Sequence, residues 1–139
     1  MDLQTILDNF EFLDDWEDKY RYVIELGRTM PEFAEENQTA ENKVEGCVSQ
    51  VWLIKTVSDE TNDPTINYRG DSDAHIVKGL VAIVLAALSG RKASEIKAFD
   101  TDALLKQIGL NEHLTPQRSN GLNSMVQRIK ADAEAALTA

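Results

Sequence analysis

Gln50-Val51-Trp52-Leu53-Ile54-Lys55-Thr56-Val57 is the stretch that decides the fold class. It is rich in β-branched and aromatic residues, and apolar groups stand at both odd and even positions. It therefore reads as a central strand covered on both faces, with helices supplying the cover. Ser58 to Pro64 is a cluster of turn formers, and Ile66-Asn67-Tyr68-Arg69 before Gly70 alternates as a second short strand. An antiparallel hairpin is the simplest connection between the two. Val44 and its neighbours are a candidate for a further strand.

On the N-terminal side, Leu3, Ile6, Leu7 and Phe10 recur at helical spacing. Asp14 with Glu17 three residues later forms an Asp version of the capping box for a second helix, whose stripe is Trp16, Tyr20, Val23, Ile24 and Gly27 and which Pro31 should stop. Phe33 to Lys43 is polar, acidic and without period, so it reads as loop or short turns.

On the C-terminal side, Asp73 is placed to cap a helix with an almost wholly apolar interior, from Ile76 to Leu88, ending at Gly90. Ser94–Ala98 and Thr101–Ile108 are short helices, the second closed by Gly109. Thr115-Pro116 is an N-cap followed by an N1 proline, and Leu122, Met125, Val126, Ile129, Ala133 and Ala136 carry a last helix onward. The expected class is α+β: a small antiparallel sheet of about three strands packed against several helices, as one domain over residues 1–139.

The 139 residues suffice for a core without staples, and 42% hydrophobic with 27% charged residues is ordinary for a globular chain. A formal net charge of −10 argues against nucleic acid and against acidic lipid surfaces. No run approaches the ~20 apolar residues that span a bilayer, and Met1-Asp2-Leu3-Gln4 does not begin as a secretory leader does, so a cytoplasmic location is expected.

The chain has one cysteine, Cys47. No intrachain disulfide and no all-cysteine metal site can be built from it, and with two distant histidines it lacks the paired spacings of structural zinc sites. No metal is expected. Cys47 reads either as a small buried hydrophobe or as a reactive thiol in Val44-Glu45-Gly46-Cys47-Val48-Ser49-Gln50, where Gly46 permits a tight turn and close approach of another backbone. A reactive thiol needs a positive charge or a helix N-terminus nearby. Arg118, His75 and His113 are the candidates.

Several segments together resemble the SufE family of Fe–S metabolism proteins. They are Trp16-Glu17-Asp18-Lys19-Tyr20, Ile24-Glu25-Leu26-Gly27, Val44 to Trp52, Gly70-Asp71-Ser72-Asp73-Ala74-His75-Ile76-Val77-Lys78-Gly79-Leu80, and His113-Leu114-Thr115-Pro116-Gln117-Arg118-Ser119-Asn120-Gly121-Leu122. The resemblance implies a SufE/IscU-like fold and an accessory protein rather than an independent enzyme. Its cysteine, here Cys47, would accept sulfur as a persulfide from a cysteine desulfurase. The chain would stimulate that enzyme and pass sulfur to a SufBCD-type scaffold.

Gly46, Ser49, Gln50, Asp73, His75 and Arg118 are the implied binding set around Cys47, with Arg118 near the cysteine loop and Asp73 holding it. The expected donor is SufS, or CsdA if the chain is closer to the paralogue CsdE. Pyridoxal phosphate belongs to that donor, and no cofactor is expected here. Val48 stands where the pattern expects a polar residue. The other readings are a small Cys-dependent enzyme with a His partner, and a regulatory module that stimulates a desulfurase without carrying sulfur.

Overall fold

The computed structural model describes residues 2–46, 49–60, 62–110 and 114–138. Among these, helices α1 (Leu3–Glu11) and α2 (Trp16–Arg28) lead through a single 3-10 turn at Glu35–Asn37 to strands β1 (Val51–Val57) and β2 (Thr65–Ser72). Helix α3 (His75–Leu88) follows, then β3 (Arg91–Lys92), α4 (Ala93–Ala98), α5 (Thr101–Ile108) and the long α6 (Pro116–Thr138). No helix is long and apolar enough to cross a membrane among these residues.

The expected α+β architecture is present, with sheet order β1-β2-β3 and antiparallel pairing throughout. The register sets Val51 opposite Ser72, Leu53 opposite Gly70 and Val57 opposite Ile66. β2 runs three residues beyond the expected Arg69, because Gly70, Asp71 and Ser72 pair with the first half of β1.

β1 is an edge strand, which corrects the expectation of a central strand between helices. The Leu53–Gly70 face packs on α3: a Cβ on Gly70 would lie 2.8 Å from Val81 Cγ1. On the opposite face Trp52 is 7% exposed because the chain around Gln38 to Lys43 covers it: Lys43 forms a bridge to Trp52, and Gln38 Nε2 donates to Asp71 Oδ2 at 3.0 Å. Beyond that cover, Thr56, Asn67 and Arg69 are exposed. The named third strand is β3 on the far edge, while the Val44 region makes a short rung beside β1, with Val44 N–H donating to Val51 O (2.8 Å) and Leu53 N–H to Asn42 O (2.9 Å).

α3 is the core helix its composition implies, with Ile76, Leu80, Val81, Ile83, Val84 and Leu88 all buried. Residues of this size stabilise the fold by roughly 2 kcal/mol each when fully buried. α2 crosses α3 at glycine contact: a Cβ on Gly79 would stand 1.9 Å from Val23 O, so no side chain fits there.

Two caps differ from expectation. α2 is capped by Asp15, whose carboxylate accepts from Asp18 N–H at 2.9 Å, one residue later than Asp14. α3 is entered through Ala74 without a side-chain cap, and Ser72 Oγ accepts from Ala74 N–H at 3.2 Å. Asp73 does not cap, since its carboxylate is bonded elsewhere. Gly109 (φ 78°) closes α5, and Thr115 Oγ1 accepts from Arg118 N–H at 3.3 Å to open α6, as the sequence leads one to expect.

Candidate functional site

Cys47, Val48 and His113 lie outside the described residues. What the structure gives is both flanks of the cysteine segment and what surrounds them. On the N-terminal flank, Val44 is buried and bonded to β1, and Arg128 of α6 donates to Lys43 O (2.8 Å) and Glu41 O (3.2 Å). Gly46 then takes φ +89° against α6, where an added Cβ would stand 2.5 Å from Ser124 Oγ. Both the backbone angle and the close approach require glycine.

On the C-terminal flank Gln50 is held on all sides. Its N–H donates to Asp73 Oδ1 (3.0 Å) and its side-chain amide to Asp73 Oδ2 (3.3 Å). Its carbonyl accepts from Ser72 Oγ (2.7 Å) and from Asp73 N–H (3.3 Å). The first two of these bonds have a charged acceptor, the stronger kind. The carboxylate two residues before Asp73, that of Asp71, is only 9% exposed and stands 3.3 Å from Lys78 Nζ, an ion pair without good hydrogen-bond direction at that oxygen.

Beside the C-terminal flank lies a cavity of about 220 Å³. Ser49 and Val51 form one wall, Val77 and Leu80 of α3 the floor, and Thr115, Gln117, Arg118, Gly121, Leu122 and Met125 of the start of α6 the other wall. A water molecule takes about 30 Å³ of liquid volume, so the space exceeds that of one sulfur atom. Its walls are mainly apolar, and Arg118 is the only charged side chain among its described lining residues.

The fold thus brings together Gly46, Ser49, Gln50, Asp73 and Arg118: two through the cavity, two through the clamp, and Gly46 at the bend against α6. His75, by contrast, is the exposed first residue of α3 and does not line the cavity. Sequence reasoning missed Ser124 and Gln117, ordinary polar residues in a helix; for Val77, the apolar run of α3 gives no sign of which member faces a cavity.

Chemically, the site offers an apolar recess edged by a guanidinium, next to a cysteine segment fixed at both ends. The fold and this recess define a class: small α+β proteins with a recess lined by the residues that follow the cysteine and by the start of the last helix. Residues 4–133 match the family described as SufE, the Fe-S metabolism associated domain, and the chain belongs to that family.

Among its relatives, an uncharacterized SufE-like protein of Rhizobium meliloti (strain 1021) is 56% identical over 137 residues, covering 99% of this chain and 98% of the relative. Another, from Rhizobium etli, is 60% identical over 132 residues, covering 95% of this chain and 89% of the relative. The solution structure of a hypothetical protein from Thermus thermophilus superimposes with a TM-score of 0.75 at 20% identity, covering 99% of this chain and 96% of that one, and shares the fold.

Proposed function

We propose that this chain is a sulfur acceptor and carrier of Fe–S cluster assembly, with Cys47 as the acceptor. The Cys47 thiolate attacks the terminal sulfur of a persulfide on a partner cysteine desulfurase. A new S–S bond forms at Cys47, the donor's S–S bond breaks, and the donor cysteine leaves as a thiolate that takes up a proton. The transferred sulfur keeps its oxidation state, so no oxidant is needed. Pyridoxal phosphate chemistry belongs to the desulfurase, of the SufS or CsdA type, and a SufBCD-type scaffold is the onward acceptor. The chain acts as an accessory protein that also stimulates its donor.

One observation carries this reading within the SufE family: the apolar cavity shared by Ser49, two residues beyond Cys47, and Arg118 at the start of α6. A persulfide is readily lost to stray thiols, so an apolar recess beside the cysteine is what a carrier needs. A guanidinium at its edge favours the thiolate over the thiol.

The test is incubation with a SufS-type desulfurase and cysteine, without reductant, followed by intact mass and peptide mapping. Extra sulfur on Cys47, absent from Cys47→Ser, is the expected result. An unmodified protein with both SufS- and CsdA-type donors would overturn the carrier reading, and stimulation that survives Cys47→Ser would leave a regulatory module in its place.

A further inference from the structure

From Glu41 onward the chain passes α6 from the middle of that helix toward its start. Arg128 Nη1 donates to Lys43 O at 2.8 Å and Nη2 to Glu41 O at 3.2 Å. Gly46 lies against Ser124, one turn earlier on the same side of the helix. Ser49 then shares the recess with Arg118, Gly121, Leu122 and Met125. Cys47 falls in sequence between the last two of these points, and its Cα can be no farther than one peptide, about 3.8 Å, from that of Gly46. Whatever fixes Gly46 on α6 therefore fixes where the cysteine segment begins.

Arg128 supplies that fixing in a form few side chains could. Asn42 O accepts from Leu53 N–H at 2.9 Å, which turns the carbonyls on either side of it away from β1 and toward α6. There they meet a planar guanidinium, whose forked N–H groups bond two oxygens at once; a lysine ammonium has no such fork. Arg128 forms no ion pair among the described residues, so these charge-assisted bonds are not shared with a carboxylate. Lys130, two residues on, offers a contrast. Its Nζ donates to Lys97 O (3.3 Å) and Phe99 O (2.6 Å), fastening α6 to the end of α4 instead of to the cysteine segment.

We propose that Arg128 is a positioning residue for Cys47. Its two bonds hold residues 41–43 on α6 and so deliver the chain, through the bend at Gly46, to the recess that Ser49 and Arg118 share. In sulfur transfer, a role that rests on the sulfur-acceptor reading, this keeps the sulfur on Cys47 beside the apolar wall and away from thiols in solution.

The experiment is alkylation of Cys47 by iodoacetamide in the natural full chain, Arg128→Ala and Lys130→Ala, followed across the titration of the thiol. Above the thiol's pKa the rate levels off at a value set by access to the sulfur. That plateau should rise roughly five-fold or more in Arg128→Ala and stay unchanged in Lys130→Ala, which costs α6 a comparable pair of bonds. After loading by a cysteine desulfurase, Arg128→Ala should also lose its persulfide faster to glutathione. The glutathione thiolate attacks the terminal sulfur, an S–S bond forms to glutathione, the bond from that sulfur to Cys47 breaks, and Cys47 leaves as a thiolate. An unraised plateau in a folded Arg128→Ala, or an equal rise in Lys130→Ala, overturns the positioning role. A raised plateau with unchanged persulfide loss overturns the sheltering. If the plateau rises but no desulfurase loads the natural chain, the acceptor reading falls and the positioning of Cys47 stands. If Arg128→Ala does not fold, Arg128→Lys, which bonds one carbonyl at a time, decides: a plateau above the natural one is expected, and the natural plateau overturns the proposal.

Discussion

At the scale of single residues, the consequence to test first is Arg118. It lines the cavity beside the cysteine segment, and its backbone is fixed by Thr115 at the head of α6. If the guanidinium favours the Cys47 thiolate, Arg118→Ala should slow sulfur transfer at pH 7 roughly ten-fold, the effect of one pKa unit on the thiolate fraction. Because the loss is of thiolate, the rate should recover as pH rises above ~9, and Arg118→Lys should keep part of it. Transfer rate against pH for the three proteins is the measurement; a pH-independent loss would assign Arg118 to docking instead. Arg118 was a candidate on its charge, but its placement beside position 47, like that of Asp73, was legible only through the family's motif, since nothing in local composition ties position 118 or 73 to position 47. Ser124 was not legible at all: its importance arises from a packing of α6 on Gly46, so close that an added Cβ would stand 2.5 Å from Ser124 Oγ, that exists only in three dimensions.

At the scale of elements, α6 is fastened to the sheet by Asp132, which accepts from Tyr68 Oη (2.8 Å) and from Lys55 Nζ (3.2 Å). Burial first, and then the hydrogen bond to Asp132 and its negative charge, hold the Tyr68 phenol well above its ordinary value of 10.0. The folded state therefore keeps this proton at a pH where the unfolded chain releases it. The contribution to stability is whole below pH 10 and declines as pH rises beyond it, by at most ~1.4 kcal/mol per pH unit. Urea unfolding should show Tyr68→Phe about 1 kcal/mol less stable at pH 8, with the gap closing above pH 10. Parallel curves through that range would remove Tyr68 as the cause. The sequence made the hairpin, the core helix and the α5 and α6 boundaries plain, because each has a period or a punctuating Gly or Pro. It misled at β1, where Trp52 imitates a strand between two helical layers. The cover there is the chain around Gln38 to Lys43, whose polar composition hides that role, and the two residues of β3 are too few to show any period.

At the scale of the whole molecule, the charge is unevenly placed. Residues 1–46 hold 13 acidic and four basic side chains, so −9 of the net −10 resides in that third of the chain. In the fold this segment is α1, α2 and the stretch leading to the cysteine, and most of its carboxylates are exposed. Only one ion pair within it, Arg21 with Asp18 at 3.9 Å, is seen among the described residues. Glu11 also ends α1, where a carboxylate opposes the helix dipole. Exposed like charges repel by a few tenths of a kcal/mol per close pair, and salt screens them over a Debye length of ~10 Å at 0.1 M. Stability should therefore rise by about 1 kcal/mol between ~0.02 and ~0.2 M NaCl. The triple variant Glu11→Gln, Asp14→Asn, Glu25→Gln should gain stability at low salt and lose much of that salt response. Thermal unfolding of both proteins across the salt series is the check. A melting temperature that falls with salt would mean that attractive pairs, such as Lys97 with Glu134 at 2.6 Å on the other side of the sequence, outweigh the repulsion.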